Sequence, residues 1–297
     1  MKIISILALA AATAAASPAM AWANLADLGK NFESCYNAQA AELGVDVCNL
    51  GVGGSCSDRL ASLVSQCAGA SREFELINQQ DLLAQAEKGA RKAGQKAQDG
   101  LSKVLKARKE YLAAVKKLYG MLVEDKDIAQ AEYDIFELTQ TIRFNYFLGS
   151  YFNCARDPEC EPAAGENPNP EAEAANWEKV SYHQDAYPGY EKCRNKATAM
   201  TDMYDCQDKG LKLQDGNLNK IYKKIMGSLG DKKKKDLKDA VRDMERKWIK
   251  YKEAVPAFML ALEEGSVMNL DAREFTLEDT MIQNQLLEKV ASYASRR

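Results

Sequence analysis

Apolar residues return at helical spacing along much of this chain, and that recurrence limits its fold more than any other feature. From Leu101 they fall at Val104, Leu105, Tyr111, Leu112, Val115, Leu118, Tyr119 and Leu122, the i, i+3/i+4, i+7 pattern of one helix face. Ala86, Ala90, Ala93 and Ala97 continue the register upstream in small residues, so the helix is expected to begin near Phe74. Gly89, Gly94 and Gly100 each weaken it by about 1 kcal/mol relative to Ala. After a polar turn at Glu124–Lys126, a second stripe runs through Ile128, Ala131, Ile135, Leu138 and Ile142. Two long helices on a short turn are expected to pack antiparallel. With 7 prolines and 18 glycines in 297 residues, the chain lacks the turn every ten residues or so that a sandwich or barrel requires.

The C-terminal third reads as three more helices. Leu218, Ile221, Tyr222, Ile225, Met226 and Leu229 stripe the first, which Gly230-Asp231 ends. Leu237, Val241, Met244, Trp248, Tyr251 and Val255 stripe the second, with Pro256 disturbing its end. A polar, acidic stretch from Glu263 to Asp279 follows, and Leu277, Met281, Ile282, Leu286 and Val290 form the last helix. The expected fold is all-α: disulfide-stapled helical hairpins, then a small C-terminal helical bundle.

Residues 1–23 carry a basic start at Lys2, an apolar run from Ile3 to Ala16, and small residues at Ala19, Ala21 and Ala23. This is the pattern of a cleavable secretory signal, and the run is shorter than the ~20 residues that span a bilayer. No cysteine follows it until Cys35, so a lipid-modified N-terminus is not expected. The expected location is periplasmic or secreted. In an exported chain, the even set Cys35, Cys48, Cys56, Cys67, Cys154, Cys160, Cys193 and Cys206 argues for disulfides, and no C-x-x-C is present. The first four are expected to staple a hairpin within 24–70. Cys154 and Cys160 bracket a short turn-like segment, and Cys193 and Cys206 flank one helical stretch as expected partners. Residues 156–176 hold four of the seven prolines among acidic and small residues, which reads as a linker. The expected organisation is a signal at 1–23, a Cys-stapled segment with a long hairpin at 24–155, the linker at 156–176, and a helical domain at 177–297.

The chemistry-bearing residues are few. His183 is the single histidine and is expected at the surface, so neither a His-rich metal site nor a His-based nucleophile mechanism is expected. Forty Lys+Arg against 43 Asp+Glu leave −3, with no global pull toward nucleic acid. Lys88, Arg91, Lys92, Lys96, Lys103, Lys106, Arg108, Lys109, Lys116 and Lys117 are expected to form a solvated face. The aromatic run from Phe144 to Phe152 reads as core where two subdomains meet. Glu263-Glu264 and Glu278-Asp279 read as helix-end acids rather than a glycosidase pair. No enzyme activity, cofactor or metal is expected.

The string Cys193-Arg194-Asn195-Lys196-Ala197-Thr198-Ala199-Met200-Thr201-Asp202-Met203-Tyr204-Asp205-Cys206 is followed by Asp215-x-x-Leu218-Asn219-x-x-Tyr222. Then come Trp248-Ile249-Lys250-Tyr251-Lys252-Glu253-Ala254 and Gly265-Ser266. In that order these motifs resemble the LprI-type lysozyme-inhibitor domain, over about residues 190–290. The resemblance implies an extracytoplasmic all-helical domain and, from a founding member, binding and inhibition of lysozyme. Four departures stand out. Glu245 and Lys252 occupy places where the family has Gln and Arg, and Gln283 stands at the closing Arg, although Thr280 fits. A further cysteine pair found in many members is replaced near Val255 and Arg273.

Within the motif, Asp215 reads as the cap of a helix starting near Asn217. Asn219 reads as a semi-buried hydrogen-bonder, and Trp248 and Tyr251 read as core. An inhibitor of a basic muramidase would use acidic surface and an inserted loop. Glu263, Glu264, Gly265, Ser266, Asp271 and Glu274 are therefore the candidate docking residues, with Gly265-Ser266 as the tip. The expected function is an exported, non-enzymatic protein-binding protein that inhibits lysozyme. The alternative is a structural, homo-oligomeric envelope protein in which the small stripe Ala86–Ala97 receives a partner helix.

Overall fold

The computed structural model describes residues 58–152, 186–229, 234–262 and 266–295, and among them the secondary structure is helical throughout. The elements are α1 (Asp58–Ala93), α2 (Gln95–Leu122), α3 (Lys126–Phe152), α4 (Tyr190–Lys196), α5 (Met200–Ser228), α6 (Lys235–Leu262) and α7 (Ser266–Ser295). No helix among the described residues is long and apolar enough to cross a membrane. The expected signal at 1–23, His183 and the expected linker at 156–176 lie outside the described residues. So do Cys35, Cys48, Cys56, Cys154 and Cys160.

The expected helix from Phe74 through Leu122 is instead two helices, and the first begins at Asp58. Gly94 stands between them at φ 105°, a left-handed conformation that glycine adopts without steric cost. The chain reverses there. Along α1, Ser65 bonds Asp134, Gln79 bonds Asn145 and Gly89 lies against Phe152, so α1 runs beside α3 in the same sense. Along α2, Arg108 meets Thr141, Tyr111 meets Phe136 and Lys116 meets Tyr133, so α2 runs opposite to α3. Asp125 Oδ1 accepts the backbone N–H groups of Asp127 and Ile128, which caps α3 at the expected polar turn.

The second half is built the same way. Gln207 reaches the Leu270 carbonyl and Gln214 bonds Asn284, so α5 runs with α7. Trp248 bonds Asp279 and Glu245 bonds Gln283, so α6 runs against α7. The two middle helices, α2 and α6, cross the seam antiparallel, with Gly100 under Phe258 and Tyr111 stacked on Tyr251. One main apolar core draws on both triplets. From the Phe144–Phe152 run, Phe147 packs against Phe258 and Phe275 and Phe152 against Phe258, whereas Tyr146 is exposed and is not core.

Several local expectations change. Ala86, Ala90 and Ala97 are buried in this core, so the small stripe is filled by the chain's own helices. Arg108 leaves the basic face: its guanidinium lies 4.8 Å from the Phe144 ring centre and donates to Thr141 Oγ1 at 3.0 Å. α6 continues through Pro256 because Phe258 and Met259 beyond it are buried. The acidic stretch is helical from Ser266 onward, with Ala272, Phe275 and Leu277 turned inward. Cys193 and Cys206 form a disulfide, but they lie on separate helices, α4 and α5. The break between these helices is set by Asp202, whose Oδ2 accepts the N–H groups of Thr198 and Ala199 and starts α5 at Met200.

Candidate functional site

α6 and α7 bring the motif residues together, and the result is a buried polar centre rather than a cleft. Trp248 Nε1 donates to Asp279 Oδ2 at 2.7 Å, and Arg143 Nη1 donates to Asp279 Oδ1 at 2.7 Å. Arg143 also donates to the Phe275 carbonyl at 2.7 Å and lies 4.4 Å from the Phe275 ring centre. Its Nε stands 3.5 Å from Glu278. Asp279 is 1 % exposed and Arg143 7 %, so each ion is held by the other and by hydrogen bonds. This is the condition under which a buried pair persists. Burial pushes the Asp279 carboxyl upward, and Arg143 and the Trp248 N–H pull against that shift.

A second buried set adjoins the first. Gln283 Nε2 donates to Glu245 Oε1 and reaches Met244 Sδ at 3.2 Å, while Tyr111 Oη donates to Gln283 Oε1 at 2.6 Å. Burial pushes the Glu245 carboxyl up to about 7, against the Gln283 hydrogen bond and the charge of Lys252. Lys252 Nζ sits 4.4 Å from the Trp248 ring centre and 3.7 Å from Asp215. Two departures from the family pattern, Glu245 and Gln283, therefore touch each other.

Trp248, Tyr251 and Leu218 are buried as expected, and Tyr222 packs partly against the core. Asp215 is not a cap. It lies in the middle of α5, because the helix begins at Met200, and it pairs with Lys252. Asn219 is exposed and bonds only its own helix, donating to the Asp215 carbonyl at 2.8 Å. That differs from the expected contact within the bundle.

Glu263, Glu264 and Gly265 lie outside the described residues, and Ser266 opens α7. Asp271 is half-buried on α7. Glu274 Oε2 accepts from Tyr190 Oη and Gln207 Nε2, both at 2.7 Å, so it ties α4 and α5 to α7. Arg273 pairs with Asp208 and lies 4.8 Å from the Tyr204 ring centre. The residue that the sequence pattern undervalued is Asp279, taken with Glu278 as a helix-end acid. Phe275 and Leu277 before it and Met281 and Ile282 after it show that the helix runs through, which places Asp279 inside.

Residues 193–295 match the family model of the lysozyme inhibitor LprI. Neither the curated proteins nor the solved structures contain a match to this chain. The LprI match opens at the stapled Cys193 and runs through α5, α6 and α7. Its two buried polar sets are completed from outside it, by Tyr111 of α2 and Arg143 of α3. The LprI segment therefore does not bury its own centre: the N-terminal triplet covers it. Among the described residues no group of metal-ligating side chains is present.

Proposed function

We propose that this is an exported protein that binds another protein without chemically changing it, and that its partner is lysozyme or a related muramidase. The observation that carries this reading is the LprI match over 193–295. Two others support it. The buried ionisable groups Arg143, Asp279 and Glu245 are engaged with one another's neighbours, an arrangement suited to holding helices in place. The pattern of residues 1–23 supports export to the compartment where a muramidase is met.

The docking element is the segment joining α6 to α7, carrying Glu263, Glu264, Gly265 and Ser266, with the half-buried Asp271 following on α7. Glu274 is engaged by Tyr190 and Gln207 and serves it only by holding α7 in place. Acidic surface on such a segment speeds encounter with a basic enzyme, and an inserted loop then blocks the cleft. The structural, oligomeric alternative is less supported, because the Ala86–Ala97 stripe on which it relied is largely buried within the chain.

The test is inhibition of purified lysozyme by the oxidised mature protein over a range of salt. Inhibition that weakens with salt, and weakens further in a Glu263→Gln/Glu264→Gln/Ser266→Arg variant, is the expected result. Equal potency of that variant would move the docking element elsewhere, and no inhibition at any concentration would reject the muramidase as partner.

A further inference from the structure

The two triplets of long helices share a set of residues at matching spacing. In α3, Phe136-x-Leu138-x-x-Thr141-x-x-x-Asn145-x-x-Leu148 recurs in α7 as Phe275-x-Leu277-x-x-Thr280-x-x-x-Asn284-x-x-Leu287. In α2, Tyr111-x-x-Ala114-Val115 and Leu122 recur in α6 as Tyr251-x-x-Ala254-Val255 and Leu262, at the same spacing. In α1, Gln79-x-x-x-Leu83 recurs in α5 as Gln214-x-x-x-Leu218.

The matched residues also do matched work. Tyr111 meets Phe136 edge-on at 5.8 Å and 85°, and Tyr251 meets Phe275 edge-on at 6.1 Å and 80°. Gln79 bonds Asn145 at 2.8 Å, and Asn284 bonds Gln214 at 2.8 Å. Thr141 and Thr280 each donate to the carbonyl one turn back at 2.8 Å. In both triplets the first helix runs with the third and the middle helix runs against it. Tyr111 and Tyr251, equivalent residues, stack on each other at 6.1 Å and 19°. Equivalent positions meet in this way where a two-fold axis passes through an isologous interface.

We infer that residues 58–152 are a second, diverged copy of the LprI-type helical unit, and that the middle-helix face of such a unit is a self-association surface. Its partner here is the other copy in the same chain. At the seam Gly100 meets Phe258 and Tyr111 meets Tyr251, and the same two helices add the buried Val104, Val115, Leu118, Val241 and Val255 to the common core. Tyr251 is therefore a seam residue and Trp248 is buried against Asp279, so neither is within reach of a separate target protein. A target meets the outer helices or the ends of the bundle. This inference stands on the repeat itself and does not depend on lysozyme being the partner.

The axis relates two packing pairs that differ in size. On one side Phe258 rests on Gly100, where an added Cβ would stand 3.3 Å from the Phe258 Cα. On the other side the equivalent residues are Leu118 and Ala240, both buried. Equivalence places those two in contact, so the full chain can be converted to the large-on-small arrangement there as well. Leu118→Phe alone is expected to overpack against Ala240 and lower Tm by on the order of 5 °C. Adding Ala240→Gly is expected to raise Tm again, even though Ala240→Gly alone lowers it through the helix cost of glycine. Should Leu118→Phe not fold, recovery of a cooperative melt on adding Ala240→Gly is the supporting result. A double variant that melts at or below the sum of the two single losses, or that fails to recover, would overturn the equivalence. Gly100→Ala with Phe258→Leu serves as the positive control for coupling, since that contact is already seen.

Discussion

The N-terminal triplet of α1, α2 and α3 and the C-terminal triplet of α5, α6 and α7 share a topology and a set of apolar and amide contacts, yet their buried polar residues differ at equivalent places. Where α6 and α7 place Trp248 and Asp279, α2 and α3 place Arg108 and Gln140. Where α6 places Glu245, α2 places Leu105. Arg143, the cation that answers Asp279, comes from the opposite triplet. The repeated scaffold is thus held by what both halves kept: stacked rings, a Gln–Asn bridge and a methyl-lined seam. The buried Arg143–Asp279 pair joins α3 to α7 with no counterpart at Gln140, and makes the two halves unlike and mutually dependent. Apolar seams tolerate sliding, whereas a buried ion with a single matching partner penalises every register but one.

The sharpest way to break this comparison is at Asp279. Asp279→Ala leaves the Arg143 guanidinium buried without its carboxylate and the Trp248 N–H without its acceptor, and should cost about 3–5 kcal/mol in urea unfolding. The equivalent position offers the contrast. Gln140 is buried and its Nε2 has no hydrogen-bond partner, so Gln140→Leu should fall within about 1 kcal/mol of the parent. Similar losses at the two positions would mean that the charged centre is not what distinguishes the halves.

The next effect is a dependence on pH centred on Glu245 of the C-terminal triplet. Burial raises the folded Glu245 carboxyl to about 7, above its value of about 4.3 in the unfolded chain. The folded state therefore holds this proton more tightly. Its contribution to stability is complete below about pH 4 and is lost as pH rises through 7, a change on the order of 3 kcal/mol. Glu245→Gln keeps the shape and removes the proton. The variant should gain on the parent as pH rises from 4 to 8, read as the difference between the two unfolding curves at each pH. A constant difference across that range would show that Glu245 titrates normally.

The smallest effect is expected at Asn219, despite its place in the family motif. It is exposed and bonds within its own helix, and its counterpart in α1 is the exposed Ala84. Asn219→Ala should shift unfolding by less than about 0.5 kcal/mol. A loss of stability above about 1 kcal/mol would show that it holds the bundle after all.

The helical class, the antiparallel pairing of 95–122 with 126–152 and the Cys193–Cys206 pair were legible because each rests on local pattern: apolar spacing, a polar turn, a short loop. The reversal at Gly94 was not, since one glycine inside a continuous stripe looks like a weak spot until its φ is known. Asp215-Gly216-Asn217 imitates a helix start, but packing of Gln207, Gly210 and Gln214 on α7 carries α5 straight through it. Asp279 was hidden because a carboxylate is read as surface unless its partner is known, and Arg143 is more than a hundred residues away. The repeat escaped notice for a related reason. Its shared residues are the few that face inward, spread three or four apart, while the exposed positions between them have changed freely.

The bond between Cys193 and Cys206 fastens α4 over a small cluster of Ala186, Tyr190, Cys206, Leu277 and Met281 that shares no residue with the main core. The main core does not reach that corner, so the covalent tie is what anchors the short α4 to α5 there.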